Sequence, residues 1–167
     1  MTSLRVLGVI VNDKLTANDH VDNLLQACTQ LLYALRVPRN HGVPLTPLHD
    51  VFWAIIVNKI TYCAPAWSGF CSAADRRRLD NFLKRCKKRG FCDELTLSIS
   101  EMFCKADDIV FGNLLKLTDH VLQTFLPERT NVHYFLRERS HNKTLINKTV
   151  NLNHRDFLIR MLYKDCY

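Results

Sequence analysis

The stretch from Val21 to Leu35, VDNLLQACTQLLYAL, carries apolar residues at steps of three and four. This spacing places them along one face of an α-helix, so it predicts an amphipathic helix of about five turns. We expect Asn18 to cap its N-terminus, and the segment from Pro38 to Pro47 to end it and form a loop. The residues expected to face inward are Val21, Leu24, Leu25, Cys28, Leu31, Leu32 and Leu35.

A second helix is predicted directly after this loop. Thr46 supplies a capping hydroxyl, and Pro47 suits the first helical turn because its missing N–H would have no partner there. The sequence that follows is apolar on nearly every side of a helix, which indicates a position at the centre of a bundle. Its inward positions are expected to be Leu48, Val51, Phe52, Ile55, Ile56 and Ile60.

The third predicted helix is strongly basic. Residues 65–71, PAWSGFC, break the helical pattern, and Ser72 with Asp75 three positions later predicts a capping box at a new N-terminus. Such a basic row is typical of a solvated outer face or of a surface that follows a phosphate backbone, and the sequence leaves both open. Its apolar positions are Leu79, Phe82, Leu83 and Cys86, and its cations are Arg76, Arg77, Arg78, Lys84, Arg85, Lys87, Lys88 and Arg89.

The sequence after the basic helix predicts a short helix from Ser98 to Cys104 and a longer one from Asp107 to about Phe125, which Pro127 stops. Asp107 and Asp108 are expected in the cap and first turn of the longer helix, where the helix dipole favours acidic groups. The positions expected to face inward are Ile109, Leu114, Leu117, Val121, Leu122 and Phe125.

A β-branched run from Leu4 to Val11 predicts a strand at the N-terminus. Both of its faces are apolar, so both would need burial. An isolated strand is not stable, and nothing close in the sequence offers a partner, which predicts sheet neighbours upstream in something larger. One face would carry Leu4, Val6, Gly8 and Ile10, and the other Leu7, Val9 and Val11.

These elements predict a mainly α fold: a helical bundle with a short N-terminal β-strand and an irregular C-terminal segment. The irregular segment would hold Tyr134 and end in a short amphipathic helix from Phe157 to Tyr163. We expect three parts, namely a strand in residues 1–15, a helical bundle in 16–125 and the irregular segment in 126–167.

Composition limits the classes of function. In 167 residues, 47% hydrophobic content predicts a packed core and argues against global disorder. Neither a membrane-length apolar run nor a secretory leader is recognisable, so we expect an intracellular protein, nuclear or cytoplasmic. The seven cysteines are odd in number and lack Cys-x-x-Cys spacing, which disfavours disulfides and zinc. No catalytic motif or metal ligand is predicted, while the net charge of +7 favours polyanionic partners.

Several short motifs resemble the region that follows the polymerase palm in reverse transcriptases of non-LTR (LINE-type) retrotransposons. The similarity covers nearly the whole chain, and its two distinctive parts surround Gly8 and Trp67. The matching stretches are Leu7-Gly8-Val9 with its flanking Leu4, Val6 and Asn12 to Leu15, the His20-Val21 pair, Ile60 to Trp67 (ITYCAPAW), the basic helix Leu79 to Arg89, and Tyr134-x-Leu136-Arg137.

The resemblance implies that the strand belongs to a primer-grip hairpin and that the following helices form the thumb. Leu7, Gly8 and Val9 would then lie near the primer terminus, and the eight cations would contact the template-primer backbone without reading its sequence. The catalytic Mg²⁺ ions and carboxylates of the family lie in the palm, which is expected upstream as a possible partner. On this view the chain alone needs no cofactor and has no polymerase activity.

Lys105-Ala106-Asp107-Asp108 is close to the aromatic-Ala-Asp-Asp signature of the palm itself. We disfavour a catalytic role because Lys105 replaces the aromatic residue, the motif follows the N-terminal strand by about a hundred residues, and no third carboxylate is evident. The alternative to a nucleic-acid-binding fragment is a non-enzymatic helical domain, whose basic helix is only solvated and whose apolar strand docks a protein partner by strand addition.

Overall fold

Helices account for most of the residues that the computed structural model describes, which are 3–129, 141–150 and 154–164. A short two-stranded sheet precedes them, so the predicted mainly α fold class is confirmed. The chain divides into two compact units, Met1–Cys104 and Lys105–Tyr167. The three-part division proposed from the sequence stays a prediction. None of the described helices is both long and apolar enough to cross a membrane.

The N-terminal residues form a β-hairpin. Strand β1 (Ser3–Val6) pairs antiparallel with β2 (Val9–Asn12), so that the prediction of a single strand without a partner is wrong. The turn between them consists of Leu7 and Gly8, whose φ angles are +46° and +87°. Two consecutive left-handed residues make a type I′ turn, which matches the twist of paired strands and lets the apolar run fold back on itself.

The hairpin contacts α1 through β2, whereas every residue of β1 is exposed. Val9 and Asn12 are buried, and the Asn12 side-chain amide donates to Thr16 Oγ1 at 2.7 Å and to Asp19 Oδ2 at 3.1 Å. The Ile10 N–H donates to Nδ1 of His20 at 3.3 Å. The expectation that both faces are buried is therefore wrong for β1.

Helix α1 (Asn18–Asn40) buries the predicted stripe, including Val21, Leu24, Cys28, Leu32 and Leu35. Asn18 is not the N-cap, since Ala17 holds that position without a side-chain hydrogen bond. Pro38 lies inside the last turn and does not end the helix. The proline removes one backbone hydrogen bond, but so close to the C-terminus the helix still continues for two more residues.

The predicted central helix consists of α2 (Leu45–Phe52), one π-helical stretch (Trp53–Val57) and α3 (Asn58–Thr61). Leu48, Phe52, Ile56 and Ile60 are buried, at steps of four residues. In a regular α-helix such steps drift around the axis, since each residue turns by about 100°. The wider π turn returns the later residues to the core. Thr46 lies in the first turn instead of capping it, and Val51 is exposed, so these two predictions are wrong.

Trp67 is buried in the first unit, in the short helix α4 (Ala64–Trp67), which a 3₁₀ turn (Ser68–Phe70) follows. Its indole N–H donates to the carbonyl of Tyr62 at 3.0 Å. Its ring meets those of His20 and Phe103 edge to face, with centroid distances of 4.7 and 5.1 Å. The residue joins α1 to the helix that contains Phe103.

Helix α5 (Ala73–Lys88) begins with the predicted capping box. Ser72 Oγ accepts from the Asp75 N–H at 3.1 Å, and the Asp75 carboxylate accepts from the Ser72 N–H at 3.0 Å. The predicted apolar stripe is buried, with Leu79, Phe82, Leu83 and Cys86 all in the core. These residues fix which side of α5 faces outward.

Helix α6 (Ile99–Lys116) replaces the two helices predicted for this region. Ser98 and Glu101 cap its start, with Ser98 Oγ accepting from the Glu101 N–H at 3.3 Å. No glycine or proline separates Cys104 from Asp107, so the helix continues and Asp107 lies buried in its middle. The prediction that Asp107 and Asp108 occupy the cap and first turn is wrong.

The inward face of α6 differs from the predicted one, since Met102, Phe103, Asp107, Phe111 and Leu114 are buried at steps of one, three and four residues and the helix ends at Lys116. Leu114 is buried and Leu122 is half-buried, whereas Ile109, Leu117, Val121 and Phe125 are exposed, contrary to prediction. Beyond Lys116 a 3₁₀ turn (Val121–Phe125) takes the place of the expected α-helical continuation.

The second unit is completed by α7 (Phe157–Tyr163), which spans the predicted residues and is capped by Asp156. Phe111 and Leu114 of α6 pack with Met161 and Leu162 of α7 to form its core. The predicted motif Tyr134-x-Leu136-Arg137 lies outside the described residues.

Candidate nucleic-acid interface

The outward side of α5 is set by its buried stripe. Arg77, Lys84 and Lys88 lie opposite Leu79, at steps of seven and four residues, and all three are exposed. Arg77, Lys84 and Lys88 make no hydrogen bond or ion pair with any residue that the structure describes. Their charge is therefore available to an external anion.

Two of the eight predicted cations bind the protein's own backbone instead. Arg76 donates to the carbonyl of Ser68 at 3.1 Å, on the side of α5 near the core. The Lys87 ammonium donates to the carbonyls of Glu94 and Thr96, both at 2.7 Å. Both side chains are only partly exposed, and they hold the segments before and after α5.

Arg78 is the cation with the most acidic surroundings. Its guanidinium forms an ion pair with Asp22 of α1, lies 3.6 Å from Asp75 Oδ1, and donates to Asn18 Oδ1 at 3.4 Å. These contacts link the N-terminal ends of α1 and α5.

Arg89 stands just after α5, and its side chain is exposed. Its carbonyl accepts a hydrogen bond from the guanidinium of Arg39, at the end of α1. The same guanidinium lies 5.1 Å from the ring centroid of Phe91. The C-terminal end of α1 therefore lies beside the C-terminal end of α5, and the two helices run side by side in the same direction.

A groove of about 680 Å³ lies between these two helices, and we call it the α1–α5 groove. Arg85 contributes a guanidinium that also lies 5.9 Å from the ring centroid of Phe82, which orients it along the helix surface. From residue 78 to residue 88 the helix rises about 15 Å, which equals about four steps of 3.4 Å along the axis of a DNA duplex. The lining residues are Leu25, Arg78, Asn81, Lys84, Arg85 and Lys88.

Charge is distributed unevenly along the α1–α5 groove. At its N-terminal end Asp22 and Asp75 neutralise Arg78, whereas Lys84 and Lys88 have no acidic partner among the described residues. The negative end of the helix dipole favours cations in the last turn of α5, but it does not replace a counterion. An anionic ligand would be attracted most strongly to the C-terminal half of the groove.

The structure places the three primer-grip-like residues in the hairpin and not in the α1–α5 groove. Leu7 forms the tip and is 83% exposed, whereas Val9 is buried. Gly8 approaches Tyr62, because a Cβ added at Gly8 would lie 3.8 Å from the Tyr62 ring. The left-handed φ of Gly8, and not a lack of space, is what favours glycine there.

No family model matches the chain, and neither a curated protein nor a solved structure is similar to it at a significant level. What can be said of function therefore rests on the residues and on the sequence resemblance.

Asp107 and Asp108 form ion pairs with one cation of α7 and with one that directly follows it. Arg160 donates to Asp107 at 2.7 Å, and Lys164 pairs with Asp108. Burial raises the pKa of Asp107, while the neighbouring Arg160 opposes that shift. Within the part of the chain that the structure describes, no group of three or more histidine, cysteine, aspartate or glutamate side chains is placed to hold a metal ion.

Sequence reasoning missed four residues that shape the site: Asp22 and Asn18, which hold Arg78, and Leu25 and Asn81, which line the groove. Leu25 was assigned to the core, whereas it is half-buried at the groove wall. The positions of Asn18 and Asp22, one turn apart on α1, indicate a shared face. Nothing in the sequence indicates that this face meets Arg78, since that contact joins residues far apart along the chain.

Proposed function

We propose that this chain binds the phosphate backbone of nucleic acid, as the thumb-like region of an RNA-directed DNA polymerase of the non-LTR retrotransposon type. The observation that carries the proposal is the α1–α5 groove, in which four cations line one wall and Lys84 and Lys88 have no described counterion. The proposal assigns no catalytic residue, metal or cofactor to this chain.

The chemistry of the groove suits a backbone ligand. Ammonium and guanidinium groups neutralise phosphates and release their counterions, which provides affinity without reading bases. Among the described residues that line the groove, none is aromatic, and Asn81 is the only neutral polar one. Base stacking and edge recognition therefore have few contacts inside the groove, and binding there is expected to be largely independent of sequence.

Support for the family comes from the sequence resemblance around Gly8 and Trp67. The resemblance implies a primer-grip strand whose partner lies upstream, whereas β1 and β2 pair with each other, so the hairpin does not add to that support. The same resemblance motivates template-primer as the ligand and the polymerase palm as a partner.

The salt dependence of binding tests the proposal. If the four groove cations contact phosphates, log K for a DNA duplex should fall against log salt with a slope of about −3.6, at about −0.9 for each contact. Replacing Lys84 and Lys88 by glutamine should reduce the slope to about −1.8. Fluorescence anisotropy between about 50 and 200 mM salt would measure both values. A flat response, or no binding at the lowest salt, would rule out the proposal.

A second candidate is a protein-interaction domain that uses the outer edge of β1. All residues of β1 are exposed, and its outer edge has no strand partner among the described residues. An extended peptide could add a strand along such an edge. This function predicts no salt-dependent binding of duplex DNA, so the same titration separates the two.

A further inference from the structure

Tyr33 and Arg36 form an exposed pair on α1 that the groove does not include. The Tyr33 side chain is 68% exposed, although tyrosine rings usually bury much of their apolar surface. The Arg36 guanidinium lies 5.7 Å from the ring centroid of Tyr33, within the range of a cation–π contact. The pair presents a flat aromatic surface flanked by positive charge.

The position of the pair follows from helix geometry. Arg36 lies eleven residues, about three turns, after the groove residue Leu25, so both project from the same side of α1. Tyr33 lies about 12 Å along the helix from Leu25 and is turned by about 80° around its axis, toward the exposed side. Because Arg39 reaches the carbonyl of Arg89, this part of α1 lies beside the C-terminal end of α5. Tyr33 and Arg36 therefore lie beside the C-terminal end of the α1–α5 groove. This is the half of the groove in which Lys84 and Lys88 have no described acidic partner.

We propose that Tyr33 stacks an unpaired nucleobase at the end of a strand held in the α1–α5 groove, with Arg36 contacting the adjoining phosphate. The described residues of the groove lining include cations and no aromatic ring, so they can hold a backbone but offer no surface on which a base could stack. Tyr33 supplies the missing stacking surface, and every base has a π-face that such a ring accepts. The preferred ligand is then a duplex with a single-stranded overhang, in preference to a blunt duplex.

Charge at the site argues for a nucleobase and against an apolar protein segment. Arg36, Lys88 and Arg89 are all exposed near this end of α5. Placing an apolar segment there would remove these cations from water without a counterion, which is costly. A nucleotide brings a phosphate together with its base, so it satisfies both the ring and the cations. This inference rests on the proposed function, because it requires nucleic acid in the groove.

The test compares a blunt duplex with the same duplex carrying an unpaired overhang, whose first base is 2-aminopurine. The wild-type chain should bind the overhang duplex about tenfold more tightly, and the 2-aminopurine fluorescence should be quenched by stacking. Tyr33→Ala should remove both the preference and the quenching while leaving blunt-duplex affinity unchanged. Tyr33→Phe, which keeps the ring, should retain both.

Tyr62→Ala is the matched control, because Tyr62 is also an exposed tyrosine but lies beside the hairpin at Gly8. It should behave as the wild type. If Tyr33→Ala keeps the overhang preference, or if the wild type binds both duplexes equally, the stacking site is overturned while backbone binding in the groove stands. If the wild type binds neither duplex in a salt-dependent way, both the stacking site and the proposed function fail.

Discussion

The outer side of α5 and the contact between α6 and α7 both contain clustered charges, but their environments differ. On α5, Lys84 and Lys88 have no described acidic partner. In the second unit, Arg160 pairs with buried Asp107 and Lys164 pairs with Asp108. A charged cluster therefore indicates a binding surface only where the fold supplies no counterion. Where it does, the same residue types hold helices together.

The largest expected effect is on the free energy of unfolding, and it concerns the ion pair between Arg160 and Asp107. Arg160→Met should lower the free energy of unfolding by about 3 kcal/mol at neutral pH, because it leaves the buried Asp107 carboxylate without its cation. Burial already raises the pKa of Asp107, and the loss of Arg160 raises it further. A carboxyl with a raised folded pKa is stabilising below its unfolded pKa, and that contribution is lost as pH rises through the folded value. The defect should therefore shrink in acid.

Urea unfolding followed by circular dichroism at neutral and acidic pH measures this effect. Lys164→Met provides the control, since Asp108 is half exposed and the pair is worth at most about 1 kcal/mol. Equal losses for the two variants would show that burial does not distinguish the two ion pairs.

A smaller effect on stability is expected at the contact between the N-terminal hairpin and α1. Burial, assisted by the charge of Arg5, lowers the pKa of His20. A base with a lowered folded pKa contributes stability above its unfolded pKa, which is near 6.5, and this is lost as pH falls toward the folded value. Protonation of Nδ1 removes the acceptor for the Ile10 N–H, at a cost of about 1 kcal/mol.

Hydrogen exchange of the Ile10 amide should therefore accelerate in the wild type as pH falls below neutrality, after correction for the intrinsic rate. His20→Gln, which keeps an acceptor but does not titrate, should flatten the corrected profile. His41→Gln, at an exposed histidine, should leave it unchanged. An identical profile in the His20→Gln chain would contradict the role given to this hydrogen bond.

The smallest predicted effect concerns the neutralised end of the α1–α5 groove. Asp22→Asn removes one of the two acidic partners of Arg78, leaving Asp75, and makes that guanidinium more available to phosphate. Duplex affinity should rise about threefold, the ordinary size of an exposed ion-pair effect. Asp50→Asn makes the same charge change at an exposed site outside the groove lining and should alter affinity less. Equal gains would indicate a general charge effect.

Local patterns predicted the inward faces of α1 and α5 well. The apolar stripes of α1 and α5 and the Ser72–Asp75 capping box need only neighbouring residues, and the structure contains them. The hairpin was missed because Leu7 is an unusual residue for a left-handed turn position, where asparagine or glycine is typical. Without that signal, the apolar run from Leu4 to Val11 reads as one strand.

The site was only partly predictable, for a different reason. The sequence locates all eight cations of the basic helix, but it does not show which of them pair with other groups of the protein. Lys87 binds carbonyls beyond the helix, and Arg78 binds an aspartate on α1. Which cations remain available depends on tertiary contacts that helical periodicity does not encode. The same limit applies to Asp107, whose partner Arg160 lies on α7.

The most direct test of the account compares two fourfold glutamine variants, each of which lowers the net charge from +7 to +3. One replaces the groove cations Arg78, Lys84, Arg85 and Lys88, and the other replaces the exposed Arg5, Lys14, Lys59 and Lys105 outside the groove. At low salt the groove variant should bind duplex DNA at least about 100-fold more weakly than the wild type, and the control at most about fivefold more weakly. Equal losses in two folded variants would show that binding follows net charge, and would contradict the α1–α5 groove as the nucleic-acid interface.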